Sequence, residues 1–206
     1  MQSKSHWDHI YSTKAAESVG WFQEHAGQSL NLIRGTGISL SAPIIDVGGG
    51  ASRLVDGLLA DGYANLTVLD LSAAALAAAK ARLGAASEAV QWLEADITSA
   101  TLPANAYALW HDRAVFHFLT SADDRQAYVA TVLRALKPGG HVIVATFAED
   151  GPSQCSGLPV VRYSAAQLHA AFGASFTLLQ HAKEEHRTPS GALQQFVYCH
   201  FQKSSS

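Results

Sequence analysis

Ile44-Ile45-Asp46-Val47-Gly48-Gly49-Gly50-Ala51-Ser52 is the stretch that decides the reading of this chain. Ile44 to Val47 is a short, mostly apolar strand, and the three glycines break it. Ser52 to Ala60 then reads as a helix with Leu54, Val55, Leu58 and Leu59 on one face. Glycines between a strand and a helix let the backbone turn tightly and let a ligand approach closely. The helix start behind them offers free N–H groups. Working outward, the alternation repeats. Leu66 to Leu69 is a second strand ending at Asp70, with Ser72 as N-cap and Gly84 as stop of an alanine-rich helix. Val90 to Leu93 is a third strand, followed by Glu94-Ala95-Asp96, and Tyr107 to Trp110 a fourth, followed by His111-Asp112-Arg113. Ser121-x-x-Asp124 has capping-box spacing and opens a helix bearing Val129, Val132, Leu133 and Leu136. Lys137-Pro138-Gly139-Gly140 ends that helix, and His141 to Phe147 is a fifth strand. Such alternation implies a parallel sheet with helices on both faces. After residue 163 the order changes: a helix from Ser164 to Phe172, then two strands, Phe176 to His186 and Leu193 to Gln202, around the turn Arg187-Thr188-Pro189-Ser190-Gly191.

The 206 residues are 48% hydrophobic and 15% charged, a balance that buries a core and argues against wholesale disorder. Lysine and arginine total 14 against 17 acids, so the basic excess of a nucleic-acid binder is missing. Cys155 and Cys199 form no C-x-x-C motif, which points to a reducing cytoplasm. The N-terminus lacks the apolar core of a signal peptide, and no run reaches the roughly 18 apolar residues of a membrane span. Ten histidines invite a metal site, but none of them pairs at ligand spacing, and none is expected.

Asp70 stands 20 residues beyond Gly50, where an acid accepts the two hydroxyls of a ribose, and Asp96 ends the third strand, placed to accept from an adenine amine. In an open parallel sheet these ends share one crevice. The plainer alternative is a tight turn with two solvated acids. Asp46-Val47-Gly48-Gly49-Gly50, with Ser52 in place of the last glycine, resembles the first motif of class I S-adenosylmethionine-dependent methyltransferases. Asp70, followed by Leu71, resembles the family's ribose-binding acid. Asp96-Ile97 resembles its adenine-bracketing pair, and Leu136-Lys137-Pro138-Gly139-Gly140 its turn before the fifth strand. The resemblance covers about residues 43 to 147. It implies an α/β, Rossmann-like, doubly wound and mostly parallel sheet of about seven strands, closed by a C-terminal antiparallel hairpin. It also implies one methyltransferase domain over 1–206: a helical N-terminal lid over 1–40, a cofactor-binding core over 43–147, and an acceptor loop, helix and hairpin over 148–206.

The opening Trp7-Asp8-x-x-Tyr11 and the later Trp21-Phe22 resemble the start of a branch that includes small-molecule methyltransferases and relatives of protein-lysine methyltransferases. The implied role is a lid in which Trp7, Tyr11 and Trp21 give an apolar wall and a cation-π contact to the sulfonium. Simple docking of an N-terminal helix accounts for the same residues. Trp110 to Phe118 holds the catalytic candidates His117, His111 and Asp112, with Arg113 joining the cofactor-binding set. A histidine near neutral pKa takes a proton from an acceptor; packing between Phe116 and Phe118 is the other reading of His117. Gly151 to Pro159, with Cys155, forms a loop placed to cover an acceptor, with Arg162 and Tyr163 lining the pocket. Glu184 to Arg187 reads as a charged hairpin end.

The resemblance thus implies a methyltransferase that uses S-adenosylmethionine, releases S-adenosylhomocysteine and acts on a small nucleophile such as a thiol. Nucleic acid and membrane are not expected partners. Protein-lysine methylation, non-catalytic adenosine-nucleoside binding and nicotinamide-dependent redox chemistry are the alternatives.

Overall fold

The computed structural model describes residues 4–205, so Met1 to Ser3 of the N-terminal reading and Ser206 lie outside the described residues. Its centre is a seven-stranded sheet in the order β3-β2-β1-β4-β5-β9-β8. The strands are β1 (Ile44–Val47), β2 (Leu66–Asp70), β3 (Val90–Glu94), β4 (Tyr107–Arg113), β5 (Leu136–Phe147), β8 (Phe176–Arg187) and β9 (Leu193–Lys203). β1 to β5 pair in parallel, whereas β9 runs antiparallel to both β5 and β8, as the expected terminal hairpin. A two-stranded ribbon, β6 (Gln154–Cys155) with β7 (Leu158–Pro159), lies in the loop after β5. Its turn residues Ser156 and Gly157 both take positive φ, 53° and 75°, the geometry that suits the twist of a tight hairpin.

Successive strand residues point to opposite faces. Ile44, Val68, Leu109 and Ile143 meet Ile33, Leu54 and Leu76 from α2 (Gly27–Gly35), α3 (Leu54–Ala60) and α4 (Ala73–Leu83). Ile45, Val47, Trp110 and Val144 meet Tyr128, Val132, Leu168 and Phe172 from α5 (Ala122–Ala135) and α6 (Ala165–Phe172). Every residue of β1 is buried, as a central parallel strand requires. The chain leaves β1 toward β2 and β3, then returns to place β4 on β1's other side. That reversal opens the crevice where ligands of such sheets bind.

The helix starts follow local chemistry. Ser72 caps α4 by accepting from the Ala75 N–H, and Ser164 with Gln167 completes a capping box on α6. α3 begins at Leu54, two residues later than its hydrophobic pattern suggests, because the Ser52 hydroxyl accepts the Leu54 N–H at 3.1 Å. Two strand boundaries also differ from expectation. β5 starts at Leu136 and pairs with Tyr107 before its register shifts at Leu109 and His141, so the Lys-Pro-Gly-Gly turn is an irregularity inside a strand. β4 continues through His111 and Asp112 to Arg113, which sets the faces of all three side chains. At the N-terminus, α1 (Lys4–Thr13) is tied to α4 where the Ser72 hydroxyl donates to Asp8 at 2.7 Å.

Candidate functional site

The glycine turn sits at the C-terminal edge of β1. Gly48 has φ +69°, and a Cβ there would run into the Val115 side chain. A Cβ on Gly49 would overlap the Asp46 carboxylate, and one on Gly50 the Asp70 carboxylate. Bare backbone here makes room for acids as well as for a ligand.

Above the turn lies a cleft with about 870 Å³ of empty space including its open mouth. Asp70, Leu71, Asp96 and Ile97 form one side, and Trp7, Tyr11, Trp21, Phe118 and Cys155 another, with Gly48 and Arg113 between. The Ser72 N–H donates to Asp70 at 2.8 Å. Burial pushes the Asp70 carboxyl up to about 7; backbone N–H groups pull it down and the nearby Asp46 charge raises it. Asp96 accepts from the Thr98 N–H at 2.9 Å and from its hydroxyl at 2.7 Å. The aromatic wall is interlocked: Trp21 donates its indole N–H to the Tyr11 hydroxyl at 3.1 Å, and Trp7 stands edge-on to Trp21 and Phe118. Burial drives the Tyr11 phenol upward, so it stays a proton donor.

A second chamber shares Tyr11, Trp21, Gly48 and Arg113 with the first, and Asp46, His111 and Ser29 are among the residues that line it. Parallel pairing of β1 with β4 sets Asp46 beside His111. His111 Nδ1 lies 2.7 Å from Asp46 Oδ1 and its Nε2 2.9 Å from the Ser29 hydroxyl. The other Asp46 oxygen, Oδ2, is buried with no hydrogen-bond partner among the described residues. Arg113 spans both chambers, donating to the Tyr198 hydroxyl at 2.9 Å, to the Trp21 carbonyl at 3.1 Å and to Glu184 at 3.4 Å, over the Phe196 ring.

The remaining catalytic candidates lie elsewhere. His117 is fully buried between Phe118 and Phe147 and lines neither chamber. Its Nδ1 accepts the Phe147 N–H at 3.3 Å, and burial, helped by Arg113, drives its pKa down to about 3. Asp112 points to the opposite face of β4 and accepts from Tyr128, Val115 and Phe116, so it shapes the turn after the strand. Burial raises its carboxyl to about 6. Trp110 and Tyr163 are core residues on that face, not pocket walls. Arg162 instead donates to the Gly151 carbonyl. Cys155 does reach the cleft, but burial pushes its thiol up to about 12. The charged hairpin end divides: Glu184 holds Arg113 and Gln23 and His186 bonds the Gly20 carbonyl, whereas Glu185 and Arg187 are exposed. Ser29, Val115 and Tyr198 carry no motif. Ser29 lies on α2, Val115 after β4 and Tyr198 on β9, and no sequence signal singled them out.

Comparison with known proteins bears on this arrangement. Residues 44–140 match the family model described as a methyltransferase domain. No curated protein matches the chain significantly. Among solved structures, a Burkholderia thailandensis 1,6-didemethyltoxoflavin-N1-methyltransferase with bound S-adenosylhomocysteine is 20% identical, with TM-score 0.68, covering 98% of this chain and 87% of its own. A protein from work on conversion of a disulfide bond into a thioacetal group during echinomycin biosynthesis is 19% identical, with TM-score 0.78, covering 98% and 93%. The [4+2]-cyclase SpnF is 17% identical, with TM-score 0.70, covering 98% and 92%. Residues 44–140 thus match a methyltransferase domain, and the chain as a whole has the Rossmann-like fold of class I S-adenosylmethionine-dependent methyltransferases.

Proposed function

We propose that this chain is an S-adenosylmethionine-dependent methyltransferase acting on a small nucleophile, with thiols as the first acceptor class. The observation that carries the reading is a pair of pockets that share Tyr11, Trp21, Gly48 and Arg113, one lined by Asp70 and Asp96 and the other by Asp46, whose Oδ2 has no partner among the described residues. Two acids that accept from hydroxyls and an amine suit adenosine, and a buried carboxylate with one oxygen lacking a donor suits an ammonium group. When bound, S-adenosylmethionine supplies an electrophilic methyl group and leaves as S-adenosylhomocysteine. Trp7, Tyr11 and Trp21 act as the lid that keeps water out.

The surroundings also constrain the acceptor. His117 is sealed from the cleft, both nitrogens of His111 are engaged, and Asp112 is spent on backbone N–H groups and Tyr128. Among the described residues, no histidine but the engaged His111 lines either pocket, and the acceptor ionises in water before it reacts. A thiol of pKa about 8.5 is then a few per cent thiolate at neutral pH, whereas an amine of pKa about 10.4 is less than about one part in a thousand free base. That difference favours a thiol over a lysine side chain.

Calorimetry with S-adenosylhomocysteine and with NADH tests the cofactor: binding of the first is expected, and tight binding of NADH alone would overturn the reading. Turnover of labelled S-adenosylmethionine with aryl thiols of graded pKa tests the acceptor. The pH midpoint of kcat/KM should follow each thiol's own pKa. Binding without transfer to thiols, amines, carboxylates or lysate proteins would instead favour a nucleoside-binding protein.

A further inference from the structure

We propose that His111 and Ser29 are positioning residues that hold the Asp46 carboxylate turned toward the amino group of the bound cofactor, an inference that rests on the cofactor reading above. Three buried polar residues from three separate elements meet here: Ser29 on α2, Asp46 on β1 and His111 on β4. A carboxylate oxygen only accepts, so His111 Nδ1 is the donor in the 2.7 Å bond to Asp46 Oδ1. In the neutral ring Nε2 then accepts from the Ser29 hydroxyl at 2.9 Å. This fixes the tautomer and the plane of the imidazole, and through them the rotation of the carboxylate.

The consequence falls on Oδ2. With Oδ1 held by the ring, Oδ2 lies against Gly49, where a Cβ would overlap it, and finds no partner among the described residues. A buried carboxylate oxygen without a donor is costly, so its place on the chamber wall calls for a donor from the ligand, best a charged one. Asp46 shares that wall with Gly48, at the junction with the nucleoside end of the cleft. The amino-acid end of the cofactor, with its ammonium group, is the part that reaches beyond the nucleoside. The order Ser-His-Asp also matches a hydrolytic triad, but the Ser29 hydroxyl is fully buried at the start of a helix. Without the imidazole, Asp46 would lose the hydrogen bond that fixes its rotation, and with it the alignment of Oδ2 toward the ammonium.

The test compares two ligands by calorimetry: S-adenosylhomocysteine, which carries the amino group, and 5′-methylthioadenosine, which lacks the whole amino-acid end. His111→Phe should weaken S-adenosylhomocysteine about 10- to 100-fold, the range for a lost charge-assisted hydrogen bond. It should change 5′-methylthioadenosine by less than about twofold. His111→Asn, whose amide donates from nearly the position of Nδ1, should keep S-adenosylhomocysteine within several-fold of the parent, whereas Asp46→Asn should lose it as His111→Phe does. Equal weakening of both ligands by His111→Phe, or weakening of neither, overturns the proposal. Should His111→Phe fail to fold, the Asn pair decides: equal loss of S-adenosylhomocysteine in His111→Asn and Asp46→Asn overturns it. A parent protein that binds neither ligand overturns the cofactor reading, and this proposal with it.

Discussion

Under the proposed cofactor reading, Asp70 should couple ligand binding to pH, in opposite directions for stability and for affinity. In the folded protein without ligand, burial lifts its carboxyl from the ordinary 3.8 to about 7, with the Asp46 charge adding to the rise. A carboxyl raised on folding contributes stability that is fully present below its unfolded pKa and is lost as pH climbs through about 7. Across that gap the loss is at most about 4 kcal/mol. Ribose hydroxyls donate to the ionised form, so affinity moves the other way. At pH 6 about one-tenth of Asp70 is ionised, and S-adenosylhomocysteine should bind about tenfold more weakly than at pH 8. Calorimetry in two buffers of different ionisation enthalpy should show release of about one proton on binding at pH 6 and close to none at pH 8.5. Asp70→Asn should abolish both the slope and the proton release and weaken binding throughout. At pH 8 the ligand-free variant should melt higher than the parent, because the amide oxygen still accepts from the Ser72 N–H without a buried charge. A parent affinity flat from pH 5.5 to 8.5, or a slope that survives in Asp70→Asn, would refute the argument.

Gly48→Ala should reduce S-adenosylhomocysteine affinity more than about tenfold: the left-handed φ costs about 1–2 kcal/mol, and the methyl group overlaps Val115. Adding Val115→Ala should restore part of the loss in the same titration, and no recovery would discount the overlap. His117→Ala removes a ring packed on Phe118 and Phe147 and should cost about 2–4 kcal/mol in chemical denaturation. The shape of its pH–rate profile with a thiol should superimpose on that of the parent. A lost ionisation in that profile would return His117 to the role of base.

The glycine turn, the acids at the ends of β2 and β3, the serine caps and the terminal hairpin were all legible along the chain. Each is a local signal: a few neighbouring residues fix a backbone turn, a cap or a strand end. Trp7, Tyr11 and Trp21 of the opening segment line one cleft in the folded chain. Function within Trp110 to Phe118 was less accessible. Ending the fourth strand at Trp110 left His111, Asp112 and Arg113 as loop residues free to converge on a substrate. Carrying the strand to Arg113 divides them by alternation, His111 and Arg113 to one face and Asp112 with Trp110 to the other.

By itself, then, the sequence determined the order of the main strands and helices and the position of a cleft at the edge of β1 and β2. The partners of its polar groups were decided only by tertiary structure. Ser29 reaches His111 across 82 residues, and Arg113 reaches Glu184 across 71. Those pairings follow from strand register and helix docking, which are set by burial of whole apolar faces and leave no mark in the spacing of the residues they bring together.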